Sequence, residues 1–343
     1  MLSFPAMASP DCQIIAHRGA SGHLPEHTLE AYQLAIEMGA DIIEPDVVLT
    51  RDGVPIARHE SLLDLSTDVA DRPEFADRRS SRVFGDREVS GWFTDDFTAA
   101  EIATLRARER FTDLRPTGAA RNGEFRIPTL AEVIRLVVSA RRATGRSIGL
   151  YPELKQVDYF AGQGLDAVAA IAAVLNAEVP NEMAADVILQ SFEAPALKQV
   201  AGLFPAASRV QLLGAGEADA IAAETSREAL ARIAAYAQGI GVAKYGYVFP
   251  VAPAVDDDPL LQPGGARSAL VERAHAAGLF VHAYTFRAEN RFLAPVFRSS
   301  AVAAEHGNLA GELNLFLDAG IDAAFIDYPD IGRAVCDARA AAR

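Results

Sequence analysis

The residues best suited to chemistry are crowded into one stretch, 17–60: HRGASGHLPEHTLEAYQLAIEMGADIIEPDVVLTRDGVPIARHE. His17 and Arg18 follow one apolar run, Glu44 and Asp46 interrupt a second, and His59 follows a third. Burying Glu44 and Asp46 unpaired among Ile42, Ile43, Val47 and Val48 would cost roughly several kcal/mol each, unless a cation or a donor meets them. Two positions apart on a strand, the two carboxylates point to the same face. Glu153, in the later run YPELK, adds a third acidic group. Such an oxygen cluster suits a hard cation, Ca²⁺ first and Mg²⁺ second. No Cys or His cluster stands at zinc spacing. The structural alternative is a buried ion pair of Glu44 with Lys155 or an arginine, but a salt bridge does not require three converging acids.

His17 and His59 are the candidate acid and base, because imidazole titrates near neutrality and both follow short apolar runs. His23 and His27 serve equally well as hydrogen-bonding scaffold, and His275, His282 and His306 read as structural. Arg18 and Lys155 are the natural holders of an anion, Arg through two parallel bonds. They could also neutralise the carboxylates, and the two roles are compatible. Phe286, with Trp92, Phe93, Phe160, Tyr247 and Phe249, could wall a pocket, although single aromatics more often belong to a core.

These side chains must be positioned by regular elements. Gln13 to His17 reads as a buried strand; Thr28 caps a helix that Gly39 stops; Ala40 to Thr50 is a second strand, and Val54 to His59 returns after an Arg-Asp-Gly turn. From 61 to 125 the chain is polar, rich in Arg and Asp, with one helix expected from Thr98 to Arg110, and it reads as an insertion over one end of the main domain. Afterwards the alternation is regular. Helix 128–144 leads to strand 147–155, helix 165–177 to strand 186–192, helix 194–203 to strand 209–213, and helix 219–237 to strand 239–244. A Pro- and Asp-rich loop spans 246–263. Helix 266–277, strand 279–286, helix 309–319, strand 323–327 and a final helix from Asp330 complete eight β/α units. That count favours a closed (β/α)₈ TIM barrel over an open sheet: one domain over 1–343 that carries the 61–125 insertion. No G-x-G-x-x-G follows the first strand, which lowers the dinucleotide-binding alternative. In such a barrel the site lies at the C-terminal ends of the strands, where His17, Arg18, Glu44, Asp46, Glu153, Lys155, Lys244, Arg287 and Asp327 all fall.

Composition narrows the partners. The 343 residues are 50% hydrophobic and carry a formal charge of −14, so the chain is globular and lacks the basic excess that nucleic-acid binding requires. An anionic small molecule would need a local positive centre. No apolar run approaches the ~20 residues that span a bilayer. The start, MLSFPAMASPDC, has neither a basic n-region nor a sustained apolar h-region and does not read as a signal peptide. Cys12 and Cys336, near opposite ends, are no disulfide framework and leave both free thiols and a single bridge open. Homo-oligomerisation is left open too.

The ordered motifs resemble the glycerophosphodiester phosphodiesterase family. They are His17-Arg18-Gly19, Pro25-Glu26-His27-Thr28, the strand from Gly39 to Val47, the turn from Thr50 to Gly53, His59-Glu60, Glu153-Leu154-Lys155, Gln190-Ser191-Phe192, Tyr284-Thr285-Phe286 and Asp327-Tyr328-Pro329. The segments around Gly91 to Thr98 and Tyr151 resemble the branch that includes periplasmic, calcium-using enzymes, which implies Ca²⁺ and export. The resemblance implies a TIM barrel that uses a divalent metal to hydrolyse glycerophosphodiesters to sn-glycerol 3-phosphate and an alcohol. It implies metal ligation by Glu44, Asp46 and Glu153, proton transfer by His17 and His59, substrate contacts from Arg18, Lys155 and Phe286, and a cyclic phosphate on the path. A lyase or phospholipase D-like enzyme of the same superfamily, or a non-catalytic phosphodiester receptor, is the alternative.

Overall fold

Eight strand positions alternate with helices and close into a barrel in the computed structural model, which describes residues 12–84, 87–214, 218–249 and 267–343. The first strand is Gln13–His17. The second is broken by Pro45 into Ile42–Glu44 and Asp46–Leu49, and the third by Pro152 into Gly149–Leu150 and Glu153–Leu154. Strands four to eight are Ile188–Ser191, Ser208–Leu213, Gly239–Ala243, Phe280–Phe286 and Ala323–Ile326. Proline has no N–H to give to a ladder, so each break interrupts the regular pairing. The partner strand still follows: Tyr151 N donates to Ile43 O at 2.8 Å and Glu153 N to Pro45 O at 2.9 Å. The broken second and third strands thus pair along both halves, and the eighth strand pairs with the first, so the parallel ring is closed.

Several expected elements have different bounds. The extended return expected over 54–59 is the shorter strand Pro55–Ala57, which pairs antiparallel with Asp46–Leu49 as a hairpin at the mouth. The expected helix from Thr98 to Arg110 is one turn, Ala99–Ile102: the Thr98–Glu101 capping box forms, but its few apolar positions cannot extend it. The insertion also contains a hairpin of Ser80–Phe84 with Arg87–Gly91. Helix 219–237 is two helices, Ala218–Glu224 and Arg227–Ala234, because Ser226 caps the second through the Ala229 N–H. Most of the 246–263 loop lies outside the described residues.

Inward-facing residues recur at period two and explain where chemistry begins. Ile15, Ile42, Tyr151, Ile188 and Phe325 pack together as a buried apolar floor. Two positions on, at the strand ends, stand His17, Glu44, Glu153, Gln190 and Asp327. Outward-facing residues such as Ile14 and Ile43 pack instead beneath the helices.

A disulfide joins Cys12 to Cys336, tying the approach to the first strand to the last helix, Pro329–Ala341. Cys336→Ser is expected to lower unfolding free energy by about 2–4 kcal/mol, read as an earlier urea midpoint with turnover at 25 °C retained. Among the described residues no helix is long and apolar enough to cross a membrane.

Candidate active site

The HRG motif turns the chain sharply at the end of the first strand. Arg18 has φ +62° and Gly19 φ +89°, and a Cβ on Gly19 would lie 2.7 Å from the backbone of Ala31, so only glycine fits there. The turn aims the Arg18 N–H at Glu44, whose Oε2 accepts it at 3.0 Å. A left-handed non-glycine residue is tolerated where surrounding contacts hold it, and Glu44 supplies one such contact.

Glu44, Asp46 and Glu153 converge, with ligand-capable oxygens within 4.8 Å of one another. All three are buried. The register explains the meeting: Asp46 pairs with Glu153, and Glu44 with His17. Gln190 Nε2 donates to Glu44 Oε1 at 2.9 Å, while its buried Oε1 has no partner. Burial, then the charges of Asp46 and Glu153, push the Glu44 carboxyl well above its usual range. Burial and Asp46 push Glu153 up to about 8 although Lys155 opposes them. Asp46 behaves oppositely: against its burial, Lys155 and Arg18 hold it well below the carboxylate range. Three oxygen ligands within 4.8 Å of one another, two of them raised by burial and by their acidic neighbours, fit a hard divalent cation, and the unpartnered Gln190 oxygen agrees with that donor chemistry.

The histidines flank this cluster. His17 Nδ1 lies 2.7 Å from Asp327 Oδ1, and His59 Nδ1 is bonded to Glu60 Oε2. Burial and the nearby Arg18 lower both imidazoles to about 4, with Lys155 adding to the effect at His59. Both are therefore neutral at pH 7. Arg18 Nη1 donates to Glu26 at 2.8 Å and its Nε lies 3.1 Å from Asp46; Lys155 Nζ lies 2.9 Å from Glu153. The two cations thus do neutralise the acids, yet both still line the cavity. That cavity, of about 300 Å³, is bounded by His17, Arg18, Glu44, His59, Glu153 and Lys155, with Gln190, Phe192, Leu212, Tyr284, Thr285, Arg287 and Phe325 completing the wall. A larger cleft of about 1090 Å³ lies beside it, against Phe192, Lys198 and Tyr236, but it holds none of the histidines. The chemistry marks the smaller space.

Seven of the eight expected site residues are brought together. The structure sets Phe286 apart: pairing with the eighth strand shifts register after Ala283, and the ring is fully buried against Phe316, with Lys244 Nζ over its face. Lys244 itself pairs with Glu312 at 2.6 Å, away from the cavity. His27 is scaffold as well as motif, spanning Asp46 Oδ2 at 3.0 Å and the Tyr32 hydroxyl at 2.7 Å. His23, His275, His282 and His306 meet Asp330, Asp322, Tyr151 and Tyr328 respectively. Sequence reasoning missed Arg110 and Arg115, which arrive from the insertion, and it left Asp327, Glu26 and Glu60 without roles. Their arginine-carboxylate pairing has no local spacing that could reveal it.

The family model for the glycerophosphoryl diester phosphodiesterase family matches residues 17–331. A glycerophosphodiester phosphodiesterase of Arabidopsis thaliana is 35% identical over 298 residues, 81% of this chain and 75% of that protein. One from Bacillus subtilis is 29% identical over 95% of this chain and 87% of its own length. Among solved structures, an Oleispira antarctica phosphodiesterase in complex with the product sn-glycerol-3-phosphate shares the fold, at TM-score 0.62 and 23% identity over 95% of this chain and 96% of that one.

Proposed function

The chain belongs to the glycerophosphoryl diester phosphodiesterase family, and from that premise we propose that it hydrolyses glycerophosphodiesters to sn-glycerol 3-phosphate and an alcohol through proton transfer by His17 and His59. The observation that carries this reading is that two carboxylate-backed imidazoles and a buried three-carboxylate cluster border one cavity of about 300 Å³.

Glu44, Asp46 and Glu153 would hold a divalent cation, Ca²⁺ or Mg²⁺, whose chemistry there is Lewis-acid neutralisation of phosphoryl charge and acidification of a hydroxyl. Arg18 and Lys155 hold the phosphodiester and stabilise the charge that grows on its oxygens. Asp327 accepts the Nδ1–H of His17, which leaves Nε2 with its lone pair, and a neutral His17 can take the proton of the attacking hydroxyl. Glu60 likewise fixes the Nδ1–H of His59. The bound anion offsets the positive field of Arg18 and Lys155, so His59 takes up a proton from solvent at Nε2 as substrate binds and gives it to the departing alkoxide. The nucleophile is the glycerol hydroxyl next to the phosphate; its attack closes a cyclic phosphate and expels the alcohol, and water then opens the ring with the two histidines exchanging roles.

Glycerophosphocholine incubated with the protein and Ca²⁺, Mg²⁺ or Mn²⁺ is expected to yield equal amounts of glycerol 3-phosphate and choline. An analogue lacking the neighbouring hydroxyl is expected to bind without turnover. No product with any of the three metals and several head groups would sink the hydrolase reading, whereas accumulation of the cyclic phosphate alone would identify a lyase. Ordinary turnover of the analogue would remove the cyclic path.

A further inference from the structure

The 61–125 insertion does more than cover the barrel mouth. Its loop sends two arginines five positions apart to the far oxygens of the two carboxylates that hold the histidines. Arg110 Nη2 donates to Glu60 Oε1 at 2.8 Å, while Glu60 Oε2 is the oxygen on His59 Nδ1. Arg115 Nη2 donates to Asp327 Oδ2 at 2.5 Å, while Asp327 Oδ1 is the oxygen on His17 Nδ1. In each case one carboxylate bridges a guanidinium of the insertion and an imidazole.

Each arginine is itself fixed. Arg110 also grips Glu26 Oε1 with Nε at 2.9 Å and Nη2 at 2.7 Å, and Glu26 Oε2 holds Arg18, so the same guanidinium is tied to the expected phosphate anchor. Arg115 is buried, donates to Ser21 O at 2.8 Å and to Glu289, and lies over the Phe111 ring. Phe111 in turn packs edge-on against Phe292, and Arg115 O accepts the Ala119 N–H in the short helix Pro116–Ala119. Asp327 Oδ2 also receives Arg287 Nε at 2.9 Å, so Arg115 is not its only cation, but among the described residues Arg115 is the one that links it to the insertion.

We propose that Arg110 and Arg115 are positioning residues through which the insertion aims the two histidines, Arg110 by way of Glu60 and Arg115 by way of Asp327. A carboxylate bonded only to an imidazole can rotate about its last torsion and carry the ring with it; a second bond to a rigid guanidinium fork removes that freedom. Holding proton-transfer groups in a productive geometry is worth large factors, and a displacement of about 1 Å can cost roughly 100-fold. The inference rests on the roles given to His17 and His59 above.

Lysine keeps the charge but cannot span two carboxylates with a planar fork. The test compares Arg110→Lys and Arg115→Lys on glycerophosphocholine and on the p-nitrophenyl ester of glycerol 3-phosphate, whose leaving group needs no proton. Arg110→Lys is expected to lose roughly 10–100-fold in kcat on the choline ester and far less on the nitrophenyl ester, with KM within about twofold. Arg115→Lys is expected to lose similarly on both esters, because His17 acts on the nucleophile. Wild-type kcat in either variant, losses confined to KM, or equal losses of Arg110→Lys on the two esters would overturn the assignment. Since Arg115 is buried, Arg115→Gln and Arg110→Gln are measured alongside at temperatures where circular dichroism shows a folded protein; failure of both substitutions at one position to fold would assign that arginine to the fold and overturn its positioning role. His17→Ala and His59→Ala serve as controls. If they keep turnover, the reading of the site fails; if they lose it while the lysine variants do not, only the present inference fails.

Discussion

His17→Ala is expected to abolish most turnover of glycerophosphocholine, by roughly 10²–10⁴-fold in kcat, while cation binding measured by calorimetry stays near wild type. The imidazole is backed by Asp327 at 2.7 Å and is neutral at pH 7 because burial and Arg18 lower it to about 4. Its loss therefore removes an acceptor that is ready in the free protein. The carboxylate cluster is left in place, which is why the cation should still bind. His59→Ala is expected to fall by a comparable factor on the choline ester and to recover much of its rate on the nitrophenyl ester. Equal impairment of His59→Ala on both esters would assign it to the nucleophile instead, and near-normal kcat in either variant would remove that histidine from the mechanism.

Chelation with EDTA is expected to bring turnover to background, with activity restored by adding back a divalent cation, and Glu153→Gln or Glu44→Gln should weaken the cation by more than the roughly 10–100-fold typical of losing an outer-shell partner. The cause is visible in the carboxylates themselves, where burial and neighbouring acids raise Glu153 to about 8 and Glu44 well above the usual range. Folding then has a pH dependence of definite sign. Between the ordinary glutamate pKa and about 8 the folded, metal-free protein binds protons that the unfolded chain has released, so this contribution to stability falls as pH rises through that window. A saturating cation replaces those protons. Buried histidines lowered to about 4 work in the opposite direction up to the ordinary imidazole pKa, so the melting temperature in EDTA is expected to decline from pH 7 to pH 8, and the increment from cation to grow over the same range, reaching about 2.7 kcal/mol at a hundredfold excess over Kd. A cation increment that shrinks toward pH 8 would contradict ligation by these carboxylates. Retention of full activity after exhaustive chelation would remove the metal from the reaction.

What could be read without coordinates is what local patterns encode. Short, near-continuous apolar runs alternating with helical patterns made the strands recognisable, and in the barrel that they imply the polar residues at the strand ends could be assigned to the mouth: His17, Glu44, Glu153 and Asp327. The pairing of Glu44 with Asp46 was legible from their spacing, although Pro45 between them splits the strand, so that only the first half meets the first strand while both halves meet the third. The bounds of the insertion's helix were misread, because a capping box marks where a helix begins and says nothing of whether tertiary contacts will extend it.

By itself, then, the sequence determined the repeating β/α architecture and the chemical types gathered at its mouth, since both depend on neighbours within a few residues. Only the tertiary structure decided which partner each charge takes. Asp327 reaches His17 across 310 residues and Arg115 across 212, and Cys12 reaches Cys336 across 324. Ring closure brings such groups together, and no spacing along the chain records it. The same holds for Phe286, which sits beside cavity residues in sequence but is turned onto Phe316 by a shift in strand register. Pairing of charges and burial of rings are energies of three-dimensional proximity, so they were settled only when the eighth strand met the first.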